Sequence, residues 1–229
     1  MGLGSWLVLA PSTLLSQFNL QHHYDLGREI FTSTAEFLSH DAFGTTFGFT
    51  DINYDSHHYD KTGATDMYFE IMRYFEIPRI NRNLSATVQY NDGVIFFPES
   101  DTTIFSAVNR VWLGGLSYLF PFEELSLSGD LLVRGEHGDE GLTYQITLVW
   151  FYPMAGRFAF MGFMDVWNSE KDATIVLMSE PQLAYQIGKF STGMEVEVSW
   201  NFPAAWTRKK DYEKNKFFAI PTVFFKYTF

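Results

Sequence analysis

The side chains best suited to chemistry in this chain are acids and amides set at every second position between apolar residues. In MEVEVSW, Glu195 and Glu197 alternate with Met194, Val196 and Val198. In LTYQITLVW, Gln145 alternates with Tyr144 and Ile146, and in LSLSGDLLVR, Asp130 and Arg134 oppose Leu127, Leu131 and Val133. A carboxylate inside a strand needs water or a partner, so one face of each strand must be wet and the other apolar. Nucleophilic catalysis would want a Ser beside a His with a polar orienter. Only His23 with Ser33 or Ser85 offers a start, without an elbow motif, and this leaves a lipid-modifying barrel enzyme as one alternative. The absence of cysteine removes thiol nucleophiles, zinc thiolates and disulfides together. His57 and His58 fall with Asp55 and Asp60 in a polar stretch that lacks the spacing of further metal ligands. That stretch reads as a solvated loop, and neither metal nor cofactor is expected. His22 and His23 are neighbours that point to opposite faces of a strand, so they cannot chelate together.

The elements that must hold these faces are strands. Period-two runs recur from about Phe18 onward and predict strands at 18–27, 30–39, 44–55, 64–76, 83–91, 105–120, 124–134, 142–152, 157–168, 173–187, 190–202 and 216–229. The links after every second strand are brief (HDAFG, EIPRINR, FPFEE, YPMAGR, QIGK), whereas those on the other edge are mostly longer and polar. Short turns on one rim and long loops on the other are the asymmetry of an outer-membrane barrel with its turns in the periplasm. The first hairpin, LGRE, is the exception. The end, FFAIPTVFFKYTF, sets Phe217, Ala219, Val223, Phe225, Tyr227 and Phe229 on one face against Thr222, Lys226 and Thr228. Aromatics at both tips of an apolar face suit the two membrane interfaces. Pro221 cannot donate to a ladder and predicts a bulge.

Composition agrees with an all-β transmembrane antiparallel barrel of about twelve strands. The 229 residues include 24 Phe, 12 Tyr and 6 Trp, with a formal net charge of −11. Acidity without a long basic stripe argues against nucleic acid as a partner. No apolar window is long enough for a helical span. Residues 1–17, with the apolar GSWLVLAPSTLLS, read as an N-terminal tail or signal-peptide remnant, and 18–229 as one barrel domain.

In such a barrel the polar face lines the lumen: Glu36, Glu70, Asp130, Arg134, Gln145, Asp165, Glu180, Gln182, Glu195, Glu197 and Lys226. Carboxylates outnumber cations there, which disfavours anions relative to neutral or cationic solutes. In TTFGFTDINYD, Phe47, Phe49, Asp51 and Asn53 share that face, so two rings are available to stack on a planar solute. The stretch TAEFLSHDAFGTTFGFTDINY, followed by MYFEIMRYFEI and an aromatic terminal strand, resembles the nucleoside-specific channel-forming porins of the Gram-negative outer membrane, in a shorter branch of that family. The motif falls on Glu36, on Phe47, Gly48, Phe49 and Asp51, and on Phe69, Glu70 and Ile71.

The resemblance implies a monomeric twelve-stranded channel in the outer-membrane bilayer with weak nucleoside sites in its lumen. The candidate lining is Glu36, Phe47, Phe49, Asp51, Asn53, Tyr68, Glu70, Asp130, Arg134, Gln145, Glu195 and Glu197. By family analogy, Lys226 belongs to the signal read by the barrel-assembly machinery. Phe47 and Phe49 serve equally as filling for the lumen, and Glu36 and Glu70 as partners of Arg134 or Lys226 in structural ion pairs. A closed barrel serving other envelope proteins as a structural or accessory subunit is the alternative to a channel.

Overall fold

The computed structural model describes residues 16–54, 63–97, 104–169, 174–202 and 215–229. Alternation of apolar and polar residues shapes every long element among them. The strands are β1 (Ser16–Asp25), β2 (Phe31–Asp41), β3 (Gly44–Tyr54), β4 (Asp66–Glu76), β5 (Leu84–Phe97), β6 (Ile104–Phe120) and β7 (Ser126–Glu136). They continue with β8 (Thr143–Pro153), β9 (Phe158–Asn168), β10 (Ile175–Ser179), β11 (Gln182–Ile187), β12 (Phe190–Trp200) and β13 (Phe217–Thr228).

Apart from β10 and β11, which do not pair with each other, each strand pairs antiparallel with its sequence neighbours, and β13 pairs with both β12 and β1, which closes the sheet into a cylinder. β10 and β11 occupy one position in the wall, both lying between β9 and β12. The interruption falls at Glu180–Pro181, where the proline has no N–H for the ladder. The wall therefore has twelve positions, an even number, as a barrel with both ends of its chain on one rim requires.

Register fixes which residues look inward. Gln21 opposes Thr34, Thr34 opposes Asp51, and Asp51 opposes Tyr68. On the far side Asp130 opposes Thr147, Thr147 opposes Asp165, and Glu195 opposes both Gln182 and Thr222. Following parity around the ring returns to β1 through Lys226 opposite Gln21, so all inward faces join in one lumen.

The molecule is consequently inside-out relative to a soluble domain. Leu131 is 63% exposed on the outer wall while its neighbour Leu132 is 1% exposed on the inner one. Outward aromatics gather toward the rims. On the rim of the short turns Phe158 meets Tyr185 at 4.9 Å, and Phe190, Tyr227 and Phe229 follow one another at 4.8 and 4.9 Å between ring centres. On the opposite rim Tyr24 lies 4.7 Å from Phe31, and Tyr90 lies 4.6 Å from Trp112. These belts are where amphipathic rings settle at a bilayer's interfaces.

Two expectations need correction. β5 does not stop at 91: the register shifts between the Asn91–Val111 and Gly93–Val108 pairs, where β6 carries one residue more than β5, and the ladder continues to Phe97. A bulge lets the strand resume rather than end. Pro221 makes no bulge, since β13 keeps unbroken register against β12 with Pro221 opposite Val196. Its carbonyl still serves the wall by accepting from Leu26 N–H at 2.9 Å. The expected tail, of which residues 1–15 fall here, and the polar stretch with His57, His58, Asp55 and Asp60 lie outside the described residues.

Candidate functional site

All twelve candidate residues fall on the lumen face, in three sectors. The first spans β2 to β5, where one ladder row carries Glu36, Phe49, Glu70 and Asn91 side by side. Phe47, Phe49 and Tyr68 form an aromatic run, each neighbouring pair 6.2 Å apart between ring centres, within the range of favourable tilted contacts. Tyr68 donates its hydroxyl to Glu70 at 2.6 Å, and Asn91 Nδ2 donates to the same carboxylate oxygen at 3.1 Å. The Oδ1 of Asn91 is buried with no hydrogen-bond partner among the described residues. Thr34 donates to Asp51, and Asn53 donates to Asp66 at 2.6 Å.

Of the two ion pairs expected for this sector, one forms. Lys226 Nζ lies 3.3 Å from Glu36 Oε2, and Asn19 donates to that same oxygen at 2.7 Å. Glu70 meets neither Lys226 nor Arg134 but takes Tyr68 and Asn91 instead.

The second sector joins β4 and β5 to β7–β9 and holds Asp130, Arg134 and Gln145. Tyr74 on β4 reaches past β5 and β6 to donate to Asp130 at 3.1 Å, while Gln89 donates to the same oxygen at 3.0 Å. Arg134 pairs with Glu136 at 2.7 Å and lies 5.6 Å over the Trp167 ring. Gln145 donates to Thr147 at 3.1 Å, and Thr147 donates to Asp165. The buried apolar cluster Val111, Leu113 and Leu132 fills this side of the bore.

The third sector lies on β12 and its neighbours. Gln182 donates to Glu195, and His23 Nδ1 stands 3.8 Å from Glu195 with its ring stacked on Phe224 at 5.5 Å. Arg28, in the short first hairpin, folds into the lumen, meets Asp25, and donates from Nη2 to Glu197 Oε2 at 2.6 Å. The first and third sectors meet along β1, whose Asn19 donates to Glu36 and whose His23 stands beside Glu195.

Sequence reasoning did not single out Tyr74, Gln89, Asn91 or Arg28. The first three were legible as inward positions by parity, but their partners are set by strand stagger. Arg28 carried the one available signal, a cation in the shortest loop of the outer rim. The Ser–His expectation shifts by one residue. His22, on the outer face, hydrogen-bonds through Nδ1 to Ser33 Oγ at 3.0 Å, whereas His23 faces the lumen, as the split of the pair across two faces requires.

Comparison with known structures supports the architecture. The chain is similar to the NanC porin, with a TM-score of 0.54 at 9% identity over 92% of this chain and 98% of that one. It is also similar to the KdgM porin in complex with disordered oligogalacturonate, with a TM-score of 0.52 at 10% identity over 93% of this chain and 99% of that one. At such identities the fold is what is shared. No curated protein matches the sequence. A closed single-chain barrel with twelve wall positions, apolar outside and polar within, is built for the Gram-negative outer membrane, and that is where this chain resides. A family's sequence pattern covers residues 17–229, almost the whole barrel, and the chain accordingly belongs to the family described as Domain of unknown function (DUF5020).

Proposed function

We propose that the protein is a passive outer-membrane channel for small hydrophilic solutes with a planar group, nucleosides among them. The observation that carries this reading is the ladder row of Glu36, Phe49, Glu70 and Asn91 beside the rings of Phe47 and Tyr68. Rings supply a stacking face for a base, and the carboxylates and the unpaired Asn91 Oδ1 accept from its edge N–H and ribose hydroxyl groups. Shallow sites of this kind raise solute concentration in the lumen without trapping it. The two porins that share the barrel support transport rather than catalysis. The anionic oligogalacturonate of the KdgM complex suits this lumen poorly, because carboxylates dominate its wall.

The test is conductance in planar bilayers with adenosine or thymidine added. Block by micromolar to millimolar nucleoside, weakened on the order of tenfold by Phe49→Ala or Phe47→Ala, is the expected result, since one stacked base contributes roughly 1–3 kcal/mol. Block unchanged by either substitution would show that the rings only fill space. The buried cluster of Val111, Leu113 and Leu132 and the Tyr74–Asp130–Gln89 bridge favour a second reading, a closed barrel acting as an accessory subunit for other envelope proteins. A silent barrel that co-purifies with a partner would select it.

A further inference from the structure

We infer that the half of the lumen nearer the first hairpin holds a binding site for an organic cation bearing a guanidinium or amine, formed by Asp51, Glu180, Glu195 and Glu197. The channel reading enters only in how that cation arrives. Glu195 and Glu197 share the inner face of β12, Glu180 sits between β10 and β11, and Asp51 looks across from β3. Met178 opposes Ser199 and Gln182 opposes Glu195 on the inner face, which sets Glu180 level with Glu197 in the neighbouring wall position. One cation of the described residues, Arg28, enters this group; Lys226 is engaged by Glu36 and Arg134 by Glu136.

Two further features point to a ligand. Glu197 is 6% exposed, yet its Oε1 has no hydrogen-bond partner among the described residues, because Arg28 takes only Oε2. A buried carboxylate oxygen left without a donor is costly, and an incoming N–H would satisfy it. Arg28 itself stands in for the ligand. It comes from a loop rather than from the wall, inserts its guanidinium between Asp25 and Glu197, and so displays the chemistry that the carboxylates accept. The acids are distributed around the bore on β3, β12 and the β10–β11 junction, which suits an extended cation. Tyr68, opposite Asp51, and Phe49 beside it offer ring faces to the same charge.

Agmatine, which carries a guanidinium and an amine, is the probe, with urea as an uncharged control. Each is titrated calorimetrically into the refolded barrel in neutral detergent at low salt, with heat-modifiable gel migration confirming the fold of every variant. Agmatine should bind and urea should not. Glu180→Gln and Glu195→Gln should each weaken agmatine on the order of tenfold, the loss expected for one charge-assisted contact. Arg28→Ala should tighten it several-fold by removing the resident competitor. No agmatine binding, binding indifferent to both glutamine variants, or weaker binding in Arg28→Ala would overturn the site. Bilayer recordings separate this from the channel reading: a silent barrel that binds agmatine refutes only the channel, and a conducting barrel that ignores agmatine refutes only the cation site.

Discussion

At the scale of single residues, the inner wall tolerates little change where strands approach closely. A Cβ built on Gly115 would stand 2.0 Å from the carbonyl oxygen of Leu131 and 2.9 Å from its carbonyl carbon, so the obstruction is backbone and cannot rotate away. On the neighbouring Gly114 the nearest atom is the Thr87 oxygen at 3.8 Å, an ordinary contact. Gly115→Ala should therefore lower stability by about 1–3 kcal/mol in urea unfolding from detergent, while Gly114→Ala should leave it unchanged or slightly raised. Equal behaviour of the two would mean that the strands around Gly115 lie farther apart than described. The polar bridge across the bore makes a similar point. Asp130 accepts from both Tyr74 and Gln89, so removing its carboxylate strands two buried donors. Asp130→Leu should cost more stability than Tyr74→Phe, which leaves the Gln89 bond in place.

At the scale of elements, a strand here is a boundary between oil and water one residue thick. Leu131, midway along β7, is exposed to lipid, and Ile187, the last residue of β11, faces outward at the periplasmic rim. An arginine at the first should cost about 2–4 kcal/mol of folding free energy in lipid vesicles, and at the second about 0–1 kcal/mol, because the charge reaches water near the interface. Matching costs at both positions would contradict the depth assigned to β7. The same geometry explains how β10 and β11 tolerate Pro181 in mid-wall. Pro181 still accepts from Val196 N–H at 3.1 Å, and Glu180 N–H still donates to Phe163 at 3.1 Å, so the wall loses ladder bonds at that point without losing register. Gly162, with φ 153°, lies alongside: a Cβ there would stand 2.5 Å from the Glu180 oxygen.

At the scale of the whole molecule, closure removes both sheet edges, and only a detergent or bilayer covers the apolar exterior. The folded protein should migrate faster than the boiled one on a denaturing gel and give a β-type circular dichroism spectrum in detergent. A helical spectrum, or a monomer that stays dispersed without amphiphile, would refute the architecture. Pairing of β1 with β13 joins the two ends of the barrel domain, so the wall cannot close until the last strand is in place. The terminal aromatic strand is held on both sides, its residues Phe217 to Tyr227 pairing with β12 and Thr222 to Thr228 also with β1.

What the sequence by itself determined was everything that repeats with a period of two. The faces of MEVEVSW, LTYQITLVW and TTFGFTDINYD, the inward set from Glu36 to Lys226, and the limits of most strands to within a few residues followed from alternation, because a strand's sides are fixed by its own backbone, whereas the end of β5 and the break between β10 and β11 did not. The tertiary structure alone decided what those side chains meet. That Glu36 takes Lys226 while Glu70 takes Tyr68, that Tyr74 spans to Asp130, and that Arg28 turns inward onto Glu197 all depend on the stagger of twelve wall positions around a closed ring. Local alternation carries no information about stagger, and β5 outran its expected end for the same reason: its continuation past Asp92 is stabilised by pairing with β6, a partner that a local reading does not contain.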